Sequence, residues 1–229
     1  MQTLPMLCET YNEISQKAYK DYSEAVHYLK SLGCAHWDML DHTAEENEKY
    51  TESMQQREKS AITAIVFQAL AVEAFVNLYG AQRVGEDKYY ADYESKDAPA
   101  KERTTEGKLK KICKEYLNKS YPTNDKAYSR LISLLNKRDS IVHTKPRAVI
   151  IDGEPVSYDD FMSQTEYIYK NIDEELESYE NLKENMRQLE GKEHDLIEEN
   201  LYGLYNGIKD NFEEMLSKAL FGNREVTTP

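Results

Sequence analysis

The stretch Ala61–Tyr79 is apolar on nearly every side of a helix and is interrupted chiefly by Gln68, Glu73 and Asn77. A helix of that pattern must be covered all round, which makes it a central element of a bundle rather than a surface helix. Its polar side chains would each be costly in a lipid bilayer. The segment therefore reads as a buried helix of a soluble, cytoplasmic protein with no membrane association. Only 9 Gly and 6 Pro occur in 229 residues, beside 31% charged and 40% hydrophobic residues. Few chain breakers and many charges fit long helices joined by short loops. They argue against an all-β sandwich, a collagen-like repeat and a disordered chain. The expected class is all-α.

The rest of the chain is read around that helix. Tyr11–Leu32 has helical spacing. Thr43, with Glu46 three residues on, forms a capping-box pattern that opens the central helix, which runs to Gly80. Val84–Thr105, polar and tyrosine-containing, reads as an irregular loop. Glu106–Asn118, with Lys108, Lys110, Lys111 and Lys114, reads as a short helix. Asp125–Lys145 reads as the next, stopped by Pro146. Asp152-Gly153 suggests a small hairpin that Pro155 confines to an edge. Tyr158–Glu190 and Lys192–Leu220 carry apolar seams at steps of three and four, the first through Ile168, Ile172, Leu176, Tyr179, Leu182 and Met186. They predict two long helices joined at Gly191, as an antiparallel hairpin or an oligomer contact. The expected organisation is a helical core over 1–157, with its motif-bearing part at 58–147, and an acidic hairpin and tail over 158–229.

The formal charge of −13 is unevenly spread: −5 over 1–60, +5 over 61–147 and −13 over 148–229. A basic middle is compatible with a polyanion at the centre. Ordinary solvated helix faces would give the same counts. Cys8, Cys34 and Cys113 form no C-x-x-C, so neither a zinc site nor a disulfide framework is expected, and the compartment reads as reducing. Met1–Leu7 lacks the basic and apolar regions of a signal peptide. His36 and His42 with Asp38 and Asp41 match no metal-ligand spacing. No phosphate-binding loop, nucleophile elbow or dinucleotide fingerprint occurs. No metal and no cofactor are expected. The 18 tyrosines suit either base stacking or helix packing.

Chemistry concentrates at Arg138-Asp139-Ser140-Ile141-Val142-His143. On a helical wheel Arg138 falls inside the apolar stripe of Leu131, Leu135 and Val142, while Asp139 and His143 lie on its flank, one turn apart. Glu73 falls inside the stripe of Ile62, Val66 and Leu70, with Asn77 one turn further on. A guanidinium keeps its proton, so an arginine on a packing face needs an anion or a water-lined cleft. His143 sits in the last helical turn, where the helix dipole favours the imidazolium.

The spacing from Arg138 to His143 resembles the Arg-x4-6-His signature of the HEPN superfamily, the higher eukaryotes and prokaryotes nucleotide-binding domains. The upstream helix Ala69–Asn77, with its Glu and Asn, is similar to an apolar helix often found in that family. The resemblance covers roughly 58–147. It implies an all-α bundle that dimerises, with Arg138 and His143 of both protomers facing one cleft. In active members it implies metal-independent RNA cleavage, with Arg138 and His143 catalytic and Asp139, Glu73 and Asn77 supporting. Other members have lost catalysis and serve as binding or assembly modules.

Two functions follow as expectations. The first is a HEPN-like endoribonuclease, a toxin or defence effector, acting on RNA as a homodimer and partnered by an antitoxin or another defence component. The second is a non-catalytic dimerisation or interaction module in which Glu73 and Arg138 are a structural pair inside the bundle.

Overall fold

The computed structural model describes residues 4–33, 38–143, 150–151, 154–155 and 166–191, and among them the protein is mostly helical. Helix α1 spans Leu4–Ser31. A short 3-10 turn at Met39–Asp41 leads into α2, Ala44–Val84. The contacts Tyr11–Phe67, Ser15–Ala64 and Tyr28–Lys49 show that α1 and α2 run antiparallel. Thr43 opens α2 as expected. Its hydroxyl accepts from the Glu46 N–H at 3.2 Å, and the Glu46 carboxylate accepts from the Thr43 N–H at 2.8 Å. Two of the otherwise orphaned N–H groups are thereby satisfied.

Helix α2 is the central element. Ala61, Ala64, Ile65, Ala69, Ala71, Val72, Phe75 and Val76 are all buried in the main core. Among the described residues it is also the helix long and apolar enough to cross a membrane, but most of that apolar window is buried by its neighbours. Helices α4, Thr105–Tyr116, and α5, Lys126–Val142, pack on it. Helices α2 and α5 are therefore packed against each other. Ile150–Ile151 (β1) and Glu154–Pro155 (β2) pair antiparallel, in the register Ile150 to Pro155, as the small hairpin expected there.

Two expectations need correction. Val84–Thr105 is not irregular throughout: Glu86–Tyr89 is a short helix, α3, followed by a π turn at Tyr90–Glu94. Tyr89 and Tyr93 are both buried and stack at 5.0 Å, and their burial orders a segment that looks polar in sequence. Gly80 makes room for them, since a Cβ there would lie 2.3 Å from Tyr89 Cε2. Gly80→Ala should lower stability by about 1–3 kcal/mol through overpacking, despite a helix-propensity gain of about 1 kcal/mol. An unchanged or raised urea midpoint would show that the Tyr89 ring can yield.

The second correction concerns 158–190, which is not one helix. Asn171 takes a left-handed conformation (φ 58°) and is followed by α6, Ile172–Glu175, and α7, Ser178–Glu190. Ile172, Leu176, Tyr179, Leu182 and Met186 are buried in the same core as α2, α4 and α5. Residues 158–165 and the second arm, Lys192–Leu220, lie outside the described residues, as do Cys34, His36 and Trp37.

Cys113 is fully buried, with its Sγ 3.8 Å from Met186 Sδ. Burial pushes its thiol up to about 12 from 9.0. A raised folded value means that the neutral thiol stabilises the fold fully below about pH 9, and that this contribution fades as pH rises toward the folded value. Urea stability should fall from about pH 9 upward, before the tyrosines titrate. The slope between pH 8.5 and 10 should be shallower in Cys113→Ala; equal slopes would assign the loss elsewhere.

Candidate functional site

Helix α5 begins at the cap of Asp125, whose carboxylate accepts from the Tyr128 N–H at 2.7 Å. It ends at Val142, and His143 is its C-cap, with the backbone N–H donating to Asp139 O at 2.9 Å. The buried face of α5 is formed by Leu131, Leu134 and Lys137. That face is rotated by about 80° from the stripe of Leu131, Leu135 and Val142 expected from the wheel. The rotation arises because α6 and α7 cover the side of α5 that carries Lys137. Leu135 is left half-buried and Val142 54% exposed. Ile62, Val66 and Leu70 of α2 are likewise only half-buried. Glu73 and Arg138 belong to these two incompletely covered stripes.

Arg138 Nη2 lies 2.8 Å from Glu73 Oε2, and Arg138 Nη1 lies 3.1 Å from Asp139 Oδ1. The Arg138 side chain is 19% exposed and that of Glu73 35%. Arg138 Nε is buried and has no hydrogen-bond partner among the described residues. The guanidinium is thus held on two sides by carboxylates, with its buried Nε–H left without a partner among the described residues. Two carboxylates against one guanidinium leave the group net negative, so a phosphate must displace one of them or approach with a cation of its own. His143 is exposed at the helix end.

The structure brings Glu73, Arg138 and Asp139 together and leaves two expected members apart. Asp139 turns to Arg138, not to the His143 ring. Asn77 Oδ1 accepts from Tyr89 Oη at 2.8 Å and from Lys108 Nζ at 3.0 Å, so Asn77 serves the α2–α3–α4 junction. The basic middle is also quieter than its charge count. Lys110 pairs with Glu106 and Lys111 with Glu102. Acids from the C-terminal segment take further cations: Glu190 holds Arg83, Glu174 and Glu177 hold Arg130, and Glu175 holds Lys137. Wheel reasoning on α5 missed Lys137, which lies about 120° from Leu131 on a face that looked solvated.

Among the described residues no group of three or more His, Cys, Asp or Glu side chains is arranged to hold a metal ion. Comparison with protein-family models, with curated proteins and with solved structures returns no match.

Proposed function

We propose that the chain is an endoribonuclease of HEPN type that works as a homodimer, in the setting of a toxin or defence effector. The observation that carries this reading is the end of α5. There a fixed guanidinium sits at the edge of an apolar surface left open on α2 and α5, one turn and a half from an exposed histidine. A second copy laid on Ile62, Val66, Leu70, Leu135 and Val142 would cover that surface and bring two such ends together. In the reaction the RNA 2′-hydroxyl attacks the adjacent phosphorus and the P–O5′ bond breaks, leaving a 2′,3′-cyclic phosphate and a 5′-hydroxyl. His143 takes the 2′ proton or delivers one to the leaving 5′-oxygen. Arg138 stabilises the charge that builds on the phosphorane oxygens. Nothing in these proton transfers calls for a metal ion.

The second reading, a non-catalytic interaction module, is favoured by the 2.8 Å Glu73–Arg138 contact, since a guanidinium already held by a carboxylate of its own chain needs no further anion. Incubating the protein with RNA in chelator, wild type beside His143→Ala, separates the two. Cleavage by the wild type alone, with cyclic phosphate ends, supports the nuclease; equal cleavage or none supports the module.

A further inference from the structure

The two carboxylates on the Arg138 guanidinium hold it differently. Nη2 donates a hydrogen bond to Glu73 Oε2 at 2.8 Å. Nη1 is met by Asp139 Oδ1 as an ion pair at 3.1 Å. The Glu73 side chain is 35% exposed and that of Asp139 59%. Glu73 stands in the middle of α2 between Val72 and Ala74, both buried, so the core fixes its backbone. Asp139 stands in the last turn of α5, where intrahelical hydrogen bonds run out and helices fray. Adjacent residues of a helix do not normally face each other, so the Asp139 contact depends on the Arg138 side chain bending toward its neighbour. An exposed pair of that kind contributes little to stability, whereas a partly buried pair costs more to break.

The donors of the guanidinium narrow the choice further. A guanidinium ordinarily grips phosphate through two parallel N–H groups on one edge. Nε is buried, so the edge it shares with Nη2 is closed to a ligand. The edge between Nη1 and Nη2 is taken by Asp139 and Glu73. An anion therefore gains Nη1 by removing Asp139 alone, and gains a second N–H only by also removing Glu73.

We infer that Asp139 is the displaceable guard of Arg138 and Glu73 its fixed anchor. A phosphate enters at Nη1 as the Asp139 carboxylate swings into solvent, while Glu73 keeps Nη2 and holds the guanidinium in place. This rests on the proposed action on RNA for the source of the phosphate, and adds how its access is regulated. Asp139 and Glu73 both act through Arg138, so they are positioning residues rather than catalytic ones.

The test titrates the full chain with inorganic phosphate and, separately, with a 2′-O-methyl oligonucleotide, which lacks the attacking hydroxyl. The phosphate arm follows the Arg138 Nε–H signal in proton–nitrogen correlation spectra, identified by its loss in Arg138→Lys. The oligonucleotide arm follows fluorescence anisotropy. Asp139→Asn should tighten both about five-fold, the effect of removing one like charge about 5 Å from an anion near the protein surface. Its thermal midpoint should stay within about 2 °C of the wild type. Glu73→Gln should lower the midpoint by about 3–6 °C. It should also move the Arg138 signal before any ligand is added, because the guanidinium has lost its anchor. Glu48 is exposed on α2. Glu48→Gln removes the same charge about 37 Å along the helix from Glu73 and should leave both affinities unchanged, which separates a guard from net charge. If Asp139→Asn binds phosphate and oligonucleotide as the wild type does, or if it and not Glu73→Gln loses stability, the guard and anchor are overturned whether or not the chain cuts RNA. If phosphate moves the Arg138 signal in neither the wild type nor Asp139→Asn, Arg138 is no anion site and the guard is wrong. If the wild type cuts no RNA but Asp139→Asn still tightens phosphate at Arg138, the guard stands and the nuclease reading alone falls.

Discussion

Glu175→Gln should be the most destabilising conservative change in the described part of the chain, at about 3–5 kcal/mol. Lys137 and Glu175 are 1% and 2% exposed, with Nζ and Oε2 2.7 Å apart. The other carboxylate oxygen accepts from the Ser133 hydroxyl at 2.6 Å. The ammonium also donates to the carbonyls of Ile168 and Lys170, so each of its three protons has an acceptor. The amide removes the countercharge and leaves a buried cation with neutral partners only. Against a total stability of about 5–15 kcal/mol, that is a large share, and the thermal midpoint should fall by roughly 10 °C. Replacing both partners, as Lys137→Met with Glu175→Leu, should cost far less, because an apolar pair carries no desolvation penalty. The checkable quantity is the coupling between them. The two single losses should exceed the double loss by about 2 kcal/mol or more in urea melts. Additive losses would mean that water already solvates the pair.

Where residues announced their burial through one wheel, the sequence was legible. The α2 stretch, the Thr43–Glu46 cap and the Glu73–Arg138 approach all follow from local pattern. The apolar seam from Ile168 to Met186 also picked out the right residues. What covers the seam was not legible, because a seam records that a face is covered and not by what. Here α2 and α5 cover it, and the break at Asn171 lets two short helices do what one long helix could not. The same covering hid Lys137. A lysine on the polar side of a wheel looks solvated until another element arrives, and only the buried acid Glu175 on α6 makes it tolerable. Tyr89 and Tyr93 were hidden in the opposite sense, as aromatic rings in a charged stretch. Gly80, an interruption in an otherwise bulky helix, was the one local sign that something packs closely there.

The local pattern drew attention to Glu73, Arg138 and Asp139, which meet, but grouped with them Asn77, which pairs elsewhere. Charge counts placed a basic middle between acidic ends, but they could not show that Glu174, Glu175, Glu177 and Glu190 fold back onto it. Much of the attraction for a polyanion is thereby neutralised within the chain. An RNA partner would depend less on long-range steering than on short-range contacts. Arg138 fits that account, since its guanidinium is already balanced by Glu73 and Asp139.

Removing the His143 imidazole should then have the largest effect on activity. His143→Ala should reduce RNA cleavage by roughly 10² to 10⁴, the usual worth of a positioned acid or base. The fold should be little changed, because the side chain is exposed at a helix end. Arg138→Ala should also abolish cleavage, at an added stability cost, because it strands the partly buried Glu73 without its cation. Arg138 and His143 are five positions apart on or next to α5, so they point about 140° away from one another. One helix cannot easily aim both at a single phosphate, whereas two helices related by a two-fold axis can. The site would then be composite, and mixing the two inactive variants should restore part of the activity. About one quarter of the wild-type rate is the expectation if equal amounts exchange freely, since half the dimers are then mixed and each mixed dimer has one intact composite site of two. Light scattering at tens of micromolar should show a dimer, and Val142→Glu, placed on the open stripe, should shift it toward monomer and lower the rate with it. A monomeric wild type that still cuts RNA would refute the composite site while sparing the chemistry. A dimer that cuts no RNA would leave Glu73 and Arg138 as the structural pair of an interaction module.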